Sequence, residues 1–255
     1  MAHYFTKTVN CEIPGVAAGQ HAAFAAGDVL FDWQSFEIPK GGAKLVGVTA
    51  LIRGKGDADA TPNVFPFSLL FGRTGTALAG GVNGLAFPGT ASVFGITKDI
   101  YGSIEVEAAD FMGTAIANQC LAIATTGGNK ASSIVLGPDD NTPVKDTTGF
   151  NKFYVAGIAQ DAFDFRTIMR INDADIDSSS PGTTLVINGT DIIVGEHIMV
   201  GDELIAHDGA AIGTVASITN ATTLELESAI ATSVLEHQDY VYVKHPITLQ
   251  LHFEK

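Results

Sequence analysis

At 255 residues the chain has room for one large β-domain or two smaller ones, and it can bury a core without disulfide or metal staples. Hydrophobic residues make up 46% and charged residues only 16%, a low charge content that points to a surface partly covered by partners. There are 14 basic residues against 28 acidic ones, and the net charge of −14 opposes binding to nucleic acid or to an anionic membrane.

In chain order, Tyr4 to Glu12 reads as a first strand. The Ala- and Gly-rich stretch Val16 to Ala26 has no deciding period. Asp28 to Ile38 is a firmer strand carrying Leu30, Phe31, Trp33 and Phe36, and Pro39-Lys40-Gly41-Gly42 ends it. Leu45 to Arg53 follows. Its two faces, Leu45, Gly47, Thr49, Leu51 and Val46, Val48, Ala50, Ile52, are both nearly apolar, as in a central strand buried on both sides. Gly54 to Val64 is a loop and Phe65 to Arg73 a strand. Thr74 to Gly89 is a Gly- and Ala-rich excursion that reads first as a plain covering loop, with a binding or assembly element, for which such lengths are often used, as the other reading. Thr97 to Phe111 is mixed: Gly102 with Ser-Ile-Glu-Val-Glu after it reads as a strand, and the start of a helical turn at Ala108-Ala109-Asp110 is the competing reading. Strands are expected at Ala115 to Ala124, Ser132 to Leu136, Phe150 to Ala159 and Phe163 to Ile171, the last two as a hairpin across Gln160-Asp161-Ala162.

The polar run Asn172 to Gly182 marks a linker. Beyond it, Leu204-Ile205, then Ile212, Val215 and Ile218, then Leu224 and Leu226 lie in three short strands. Asp208-Gly209 closes the first hairpin, because glycine supplies the positive φ, and Asn220-Ala221 opens the next turn. From Thr183 to Lys244 nine acidic residues face one basic residue, a net −8 of the total −14. Ile247, Leu249, Leu251 and Phe253 then alternate along a last strand, for which Phe163 to Ile171 is the expected partner. The expected fold is all-β: a jelly-roll-like β-sandwich over 1–178 plus 245–255, with a small acidic SH3-like or OB-like β-barrel, 179–244, inserted before the last strand.

Residues with chemical potential do not form working patterns. Asp173, Asp175 and Asp177 alternate like a calcium loop, but Ser178 and Thr184 stand where glycine and a bidentate glutamate are needed. His197, His207 and His237 have spacings that match no standard zinc pair. The pairs Asp57/Asp59 and Asp139/Asp140 have the residue type for glycoside cleavage but sit in turn-forming sequence. There is no G-x-S-x-G elbow, P-loop or GxGxxG, and Trp33 reads as core. Cys11 and Cys120 fit no metal or redox spacing and read as free thiols, with a disulfide between them as the other reading. The expected site is therefore empty of catalytic, cofactor-binding and metal-ligating residues. The opening stretch has no basic region followed by an apolar core, and no apolar run reaches the ~20 residues of a membrane span. The expectation is synthesis in a cytoplasm, with any export by a route other than a signal peptide, such as release of an assembled particle.

Two stretches carry a resemblance. Val200-Gly201-Asp202-Glu203-Leu204, Asp208-Gly209, Ile212 to Ile218 and Thr222 to Leu226 together resemble small barrel modules in virion structural proteins of tailed bacteriophages, those of marine phages above all. Asp28 to Trp33, Ile38 to Gly41 and Leu51 to Gly54 are similar to the same class. The resemblance implies a non-enzymatic part of a particle. With the charge asymmetry it gives the expectation of a capsid decoration (cement) protein on the virion exterior. Its partners would be the major capsid protein and copies of itself, as a homotrimer, with no nucleic acid and no membrane. The larger domain would grip the shell, Thr74 to Gly89 would be the anchor, and the acidic barrel would face outward. The alternatives are a tail, neck or fibre-associated, receptor-binding component and a carbohydrate-active enzyme on a jelly-roll scaffold.

Overall fold

The computed structural model describes residues 3–12, 24–53, 64–73, 75, 78, 99–112, 119–125, 134–137, 149–162, 182–187, 198–206, 209–220, 222–230 and 241–255. These residues form β1 (Tyr4–Cys11), β2 (Val29–Pro39), β3 (Ala43–Arg53), β4 (Phe67–Gly72), β5 (Ile100–Val106), β6 (Gln119–Thr125), β7 (Ile134–Leu136) and β8 (Phe150–Ala159). After them come β9 (Thr184–Val186), β10 (Glu203–Ala206), β11 (Ala211–Asn220), β12 (Thr223–Leu226), β13 (Val241–Val243) and β14 (Ile247–Glu254). The one helical element among the described residues is the 3-10 turn Ala108–Asp110. All strand pairings are antiparallel.

Two of the three sheets face each other. One runs β1-β14-β3-β6, with β7 continuing the β6 edge alongside β3; the other runs β2-β8-β4-β5. With β6 and β7 counted as one interrupted strand, the sandwich strands in chain order make sheets 1-8-3-6 and 2-7-4-5. That is the strand order of a jelly roll. The third sheet, β13-β10-β11-β12-β9, is spliced between the seventh and eighth of these strands.

The sandwich core follows from alternation. Ile247, Leu249, Leu251 and Phe253 on β14 are each at most 1% exposed, and they meet Phe36, Phe71 and Phe153 from the other sheet. Phe36 sits at the centre: it stacks on Phe253 at 6.0 Å, lies 6.2 Å from Phe153 and meets Phe71 edge-on at 6.5 Å. Such ring pairs add directional preference to burial. Trp33, half-buried, packs on a satellite cluster of Val29, Leu78, Ala156 and Ile158 on the outer side of the second sheet. Gly72 leaves the room that the Trp33 ring occupies, since a Cβ there would lie 2.9 Å from it.

The inserted sheet encloses its own aliphatic core, built from Leu185, Ile187, Ile198, Leu204, Ile212, Val215, Leu224 and Leu226 among others. β11 is long enough to serve two partners. Its first half pairs β10 and its second half pairs β12, with register shifts that bend it. β10 and β11 pair antiparallel on either side of the expected turn, of which Asp208 lies outside the described residues; Gly209 has φ +85° and its N–H donates to the Ala206 carbonyl. The next turn is closed by Thr222 N–H donating to Asn220 Oδ1 at 2.9 Å.

Three expectations need correction. β14 has both edges filled, by β1 over Cys11 to Tyr4 and by β3 over Ile52 to Lys44, so no edge is left for Phe163 to Ile171, which lie outside the described residues. β8 is likewise flanked by β2 and β4 near its end, which removes the expected hairpin partner position there. In β3, a register shift at Val46 turns Leu45 inward with Val48, Ala50 and Ile52, while Thr49 and Leu51 remain half-exposed. β3 is central in its sheet but fully buried on one face only.

Candidate functional site

Acidic and histidine candidates from the sequence, Asp57, Asp59, Asp139, Asp140, Asp173, Asp175, Asp177, His197, His207 and His237, lie outside the described residues, as does most of the Thr74 to Gly89 excursion. Of that excursion, Leu78 is buried, and its N–H donates to Asp32 Oδ1 at 3.2 Å. Among the described residues no three His, Cys, Asp or Glu side chains stand close enough together to hold a metal ion.

Cys11 is buried and free, and desolvation pushes its thiol well above the ordinary range, which leaves it a poor nucleophile. Cys11 is level with Ile247, Ile247 with Ile52, and Ile52 with Cys120. Three strand spacings put the two cysteine backbones about 14 Å apart, twice the reach of a disulfide. The free-thiol reading of Cys11 therefore holds.

His252 presents a different possibility. On the outer face of β14 its Nε2 lies 2.9 Å from Thr49 Oγ1, and its Nδ1 lies 3.4 Å from Thr6 Oγ1. A hydroxyl beside an imidazole is half of a nucleophilic arrangement, but the third group here is a second hydroxyl rather than a carboxylate that would orient and charge the ring. The group is a rung of polar cross-strand contacts, continued by Thr248 Oγ1 donating to Asn10 Oδ1 at 3.2 Å.

Among the described residues, charged contacts gather where the inserted sheet meets the sandwich. Arg53 ends β3 and Asp202 immediately precedes β10; Nη2 donates to Oδ1 at 2.7 Å, and both side chains are largely covered. The second oxygen of Asp202 accepts the Met199 N–H at 2.8 Å, so one carboxylate closes its own turn and reaches the sandwich. Beside this pair, Lys244 Nζ donates to Glu203 Oε2 at 3.0 Å and stands 3.9 Å from Glu12. The hydrogen bond from Lys244, then its charge, hold Glu203 below the ordinary glutamate range, and the same bond raises Lys244. Backbone bonds run alongside, from Arg53 N–H to the Pro246 carbonyl and from Lys244 N–H to the Glu203 carbonyl. The arrangement orients the inserted sheet; it offers no reacting atom. Sequence reasoning had no signal for it, because each member is one charge among many.

No family model matches the chain, and no curated protein matches it. Solved structures similar along the chain include the human polyomavirus 6 VP1 pentamer, at 13% identity over 99% of this chain and 93% of that one, with a TM-score of 0.20. Infectious bursal disease virus of the Gt strain is similar at 13% identity over 99% and 70%, with a TM-score of 0.19. These likenesses are too slight to carry an argument. The jelly roll rests on the strand order alone.

Proposed function

We propose that the chain is a non-enzymatic structural protein of a virion, and within that class a decoration protein bound to the outside of a capsid. The observation that carries this reading is the splice of an acidic sheet into a jelly roll between its seventh and eighth strands. A jelly roll alone hosts many functions. Here the net −8 of residues 183–244 suits solvent better than packaged nucleic acid. In this reading residues 1–178 with 245–255 form one domain and 179–244 a second that faces outward, fixed in direction by Arg53 and Asp202. Copies of the chain associate, and several weak contacts to the shell act together. The homotrimer suggested by local threefold positions is one such assembly. The resemblance to phage virion modules supports the same class.

The test is to mix purified protein with assembled shells that lack it and to measure bound copies and resistance to heat. Saturation at hundreds of copies, with raised resistance, is the expected result. A handful of copies at one vertex or on tails would replace this reading with the tail or fibre one, and cleavage of host polysaccharide would replace it with the enzymatic one.

A further inference from the structure

We propose that the outer face of the β1-β14-β3-β6 sheet, with its β7 edge, is a twofold contact between two copies of this chain. The inference stands on the face itself and does not rest on the capsid reading.

Of the seven large apolar residues that are exposed among the described residues, Tyr4, Ile123 and Val135 belong to this sheet and Met112 lies beside β6. Tyr4 is 71% and Val135 65% exposed, which leaves apolar surface at both ends of this face. Strand register orders the residues into rows. One row runs Tyr4, Glu254, Lys44, Val135; another runs Thr8, Gln250, Thr49, Ile123. The first row reads apolar, negative, positive, apolar. Turned end for end it becomes its own complement. A twofold axis parallel to the strands, between β14 and β3, lays Tyr4 over the partner's Val135 and Glu254 over the partner's Lys44. The second row then sets Ile123 over the partner's Thr8 and Gln250 over the partner's Thr49. Two sheets stacked this way pack about 10 Å apart, with the strands some 30° off parallel. An isologous contact requires this kind of self-complementarity, and a second copy is the one occupant certain to present it.

Charge points the same way. Two chains of −14 repel through most of their surfaces. On this face Lys44 and Glu254 already lie 3.7 Å apart and cancel, and the Arg53 charge at its end is matched by Asp202. Association by the sheet edge is discouraged instead. Lys7 occupies an inward position of edge strand β1, between Phe5 and Val9, with its ammonium 5.6 Å from the Phe150 ring. A charge placed so blunts edge-to-edge pairing. Four strands of eight residues give a flat area of about 500 Å² per copy. That is below the roughly 800 Å² per partner of a standard interface, so the dimer is expected to depend on concentration.

Sedimentation velocity of the full chain over a concentration series tests this, together with charge reversals at exposed positions. The expected result is a monomer–dimer equilibrium. Lys44→Glu and Glu254→Lys each weaken it at least about tenfold, since either sets like charges against each other across the axis. The double reversal Lys44→Glu/Glu254→Lys restores it, because the row is again its own complement. Circular dichroism of each variant checks that the sheet is intact. A monomer at every concentration or a dimer indifferent to the single reversals would each overturn the proposal, and so would a trimer, in favour of the threefold assembly named above. None of these outcomes touches shell binding, which is measured separately.

Discussion

The sandwich and the inserted sheet each open a strand with the same device, and they use it differently. Ala25-Ala26-Gly27-Asp28 precedes β2, and Met199-Val200-Gly201-Asp202 precedes β10. Both glycines have φ +91°, which a side chain would strain. In both turns the aspartate N–H donates back to the first residue's carbonyl, and the carboxylate accepts that residue's N–H, at 2.7 Å for Asp28 and 2.8 Å for Asp202. In both, the glycine N–H and aspartate carbonyl pair with one residue of a neighbouring strand, Ala159 in the first case and Val215 in the second. The difference lies in the other carboxylate oxygen. Asp28 is buried inside the sandwich, whereas Asp202 uses its second oxygen on Arg53. The backbone motif is local and portable; whether it also ties two layers depends on what stands opposite.

The largest test of the two regions is a charge placed in each core. Leu249→Asp, among Ile247, Leu251 and Phe253, is expected to cost roughly 4–5 kcal/mol and to unfold the sandwich. Gln250→Asp, on the opposite and exposed face, is expected to stay within about 1 kcal/mol. Leu224→Asp is expected to abolish the inserted sheet while leaving the sandwich transition in place. Equal melting temperatures for Leu249→Asp and Gln250→Asp would mean that the inward face is misassigned. A single shared collapse with Leu224→Asp would mean that the two cores are one cooperative unit.

A smaller effect separates the two turns. A double-mutant cycle of Arg53→Met with Asp202→Asn is expected to give a coupling of about 1–2 kcal/mol by chemical denaturation. The parallel cycle with Asp28→Asn is expected to give less than about 0.5 kcal/mol, since no contact joins it to Arg53. Coupling of the same size in both cycles would remove the distinction.

The smallest effect is in pH. Glu203 is depressed, so its share of stability is present above the ordinary glutamate range and is lost as pH falls through its lowered value. Lys244 is raised, so its share is present below the ordinary lysine range and is lost as pH rises through its raised value. Both groups are well solvated, and the pair is expected to contribute under about 1 kcal/mol between those limits. Lys244→Met should flatten the difference between mildly acidic and neutral stability; an unchanged slope would show that other carboxylates set it.

Much of this architecture was legible because strands announce themselves locally. Phe150 to Ala159 was read with the bounds that β8 has, and β10 and β11 pair antiparallel on either side of Gly209, whose positive φ the expected turn requires. Pairing across long separations was not legible. The alternation of β14 shows which face is buried but says nothing of which strands lie at its sides. The same limit hid the register shift at Val46, which moves Leu45 to the inner face against simple counting. It also hid the ion pair of Arg53 with Asp202, 149 positions apart. At the candidate site, the sequence singled out residues by chemical type, while the contacts seen at the junction depend on charges that only the folded topology brings together.

The place of β14 has a consequence in time. Tyr4 pairs across the sheet with Glu254, 250 positions later. At the rate of protein synthesis that gap amounts to about 10–50 s. Throughout it β1 and β3 have no strand between them, and the sandwich core lacks the row from Ile247 to Phe253. The inserted sheet, by contrast, draws all its strands from residues 184–243 and can close as soon as they emerge. Folding in the cell would then proceed from the insertion outward, with the host domain open until the final strand is threaded between two that were made long before.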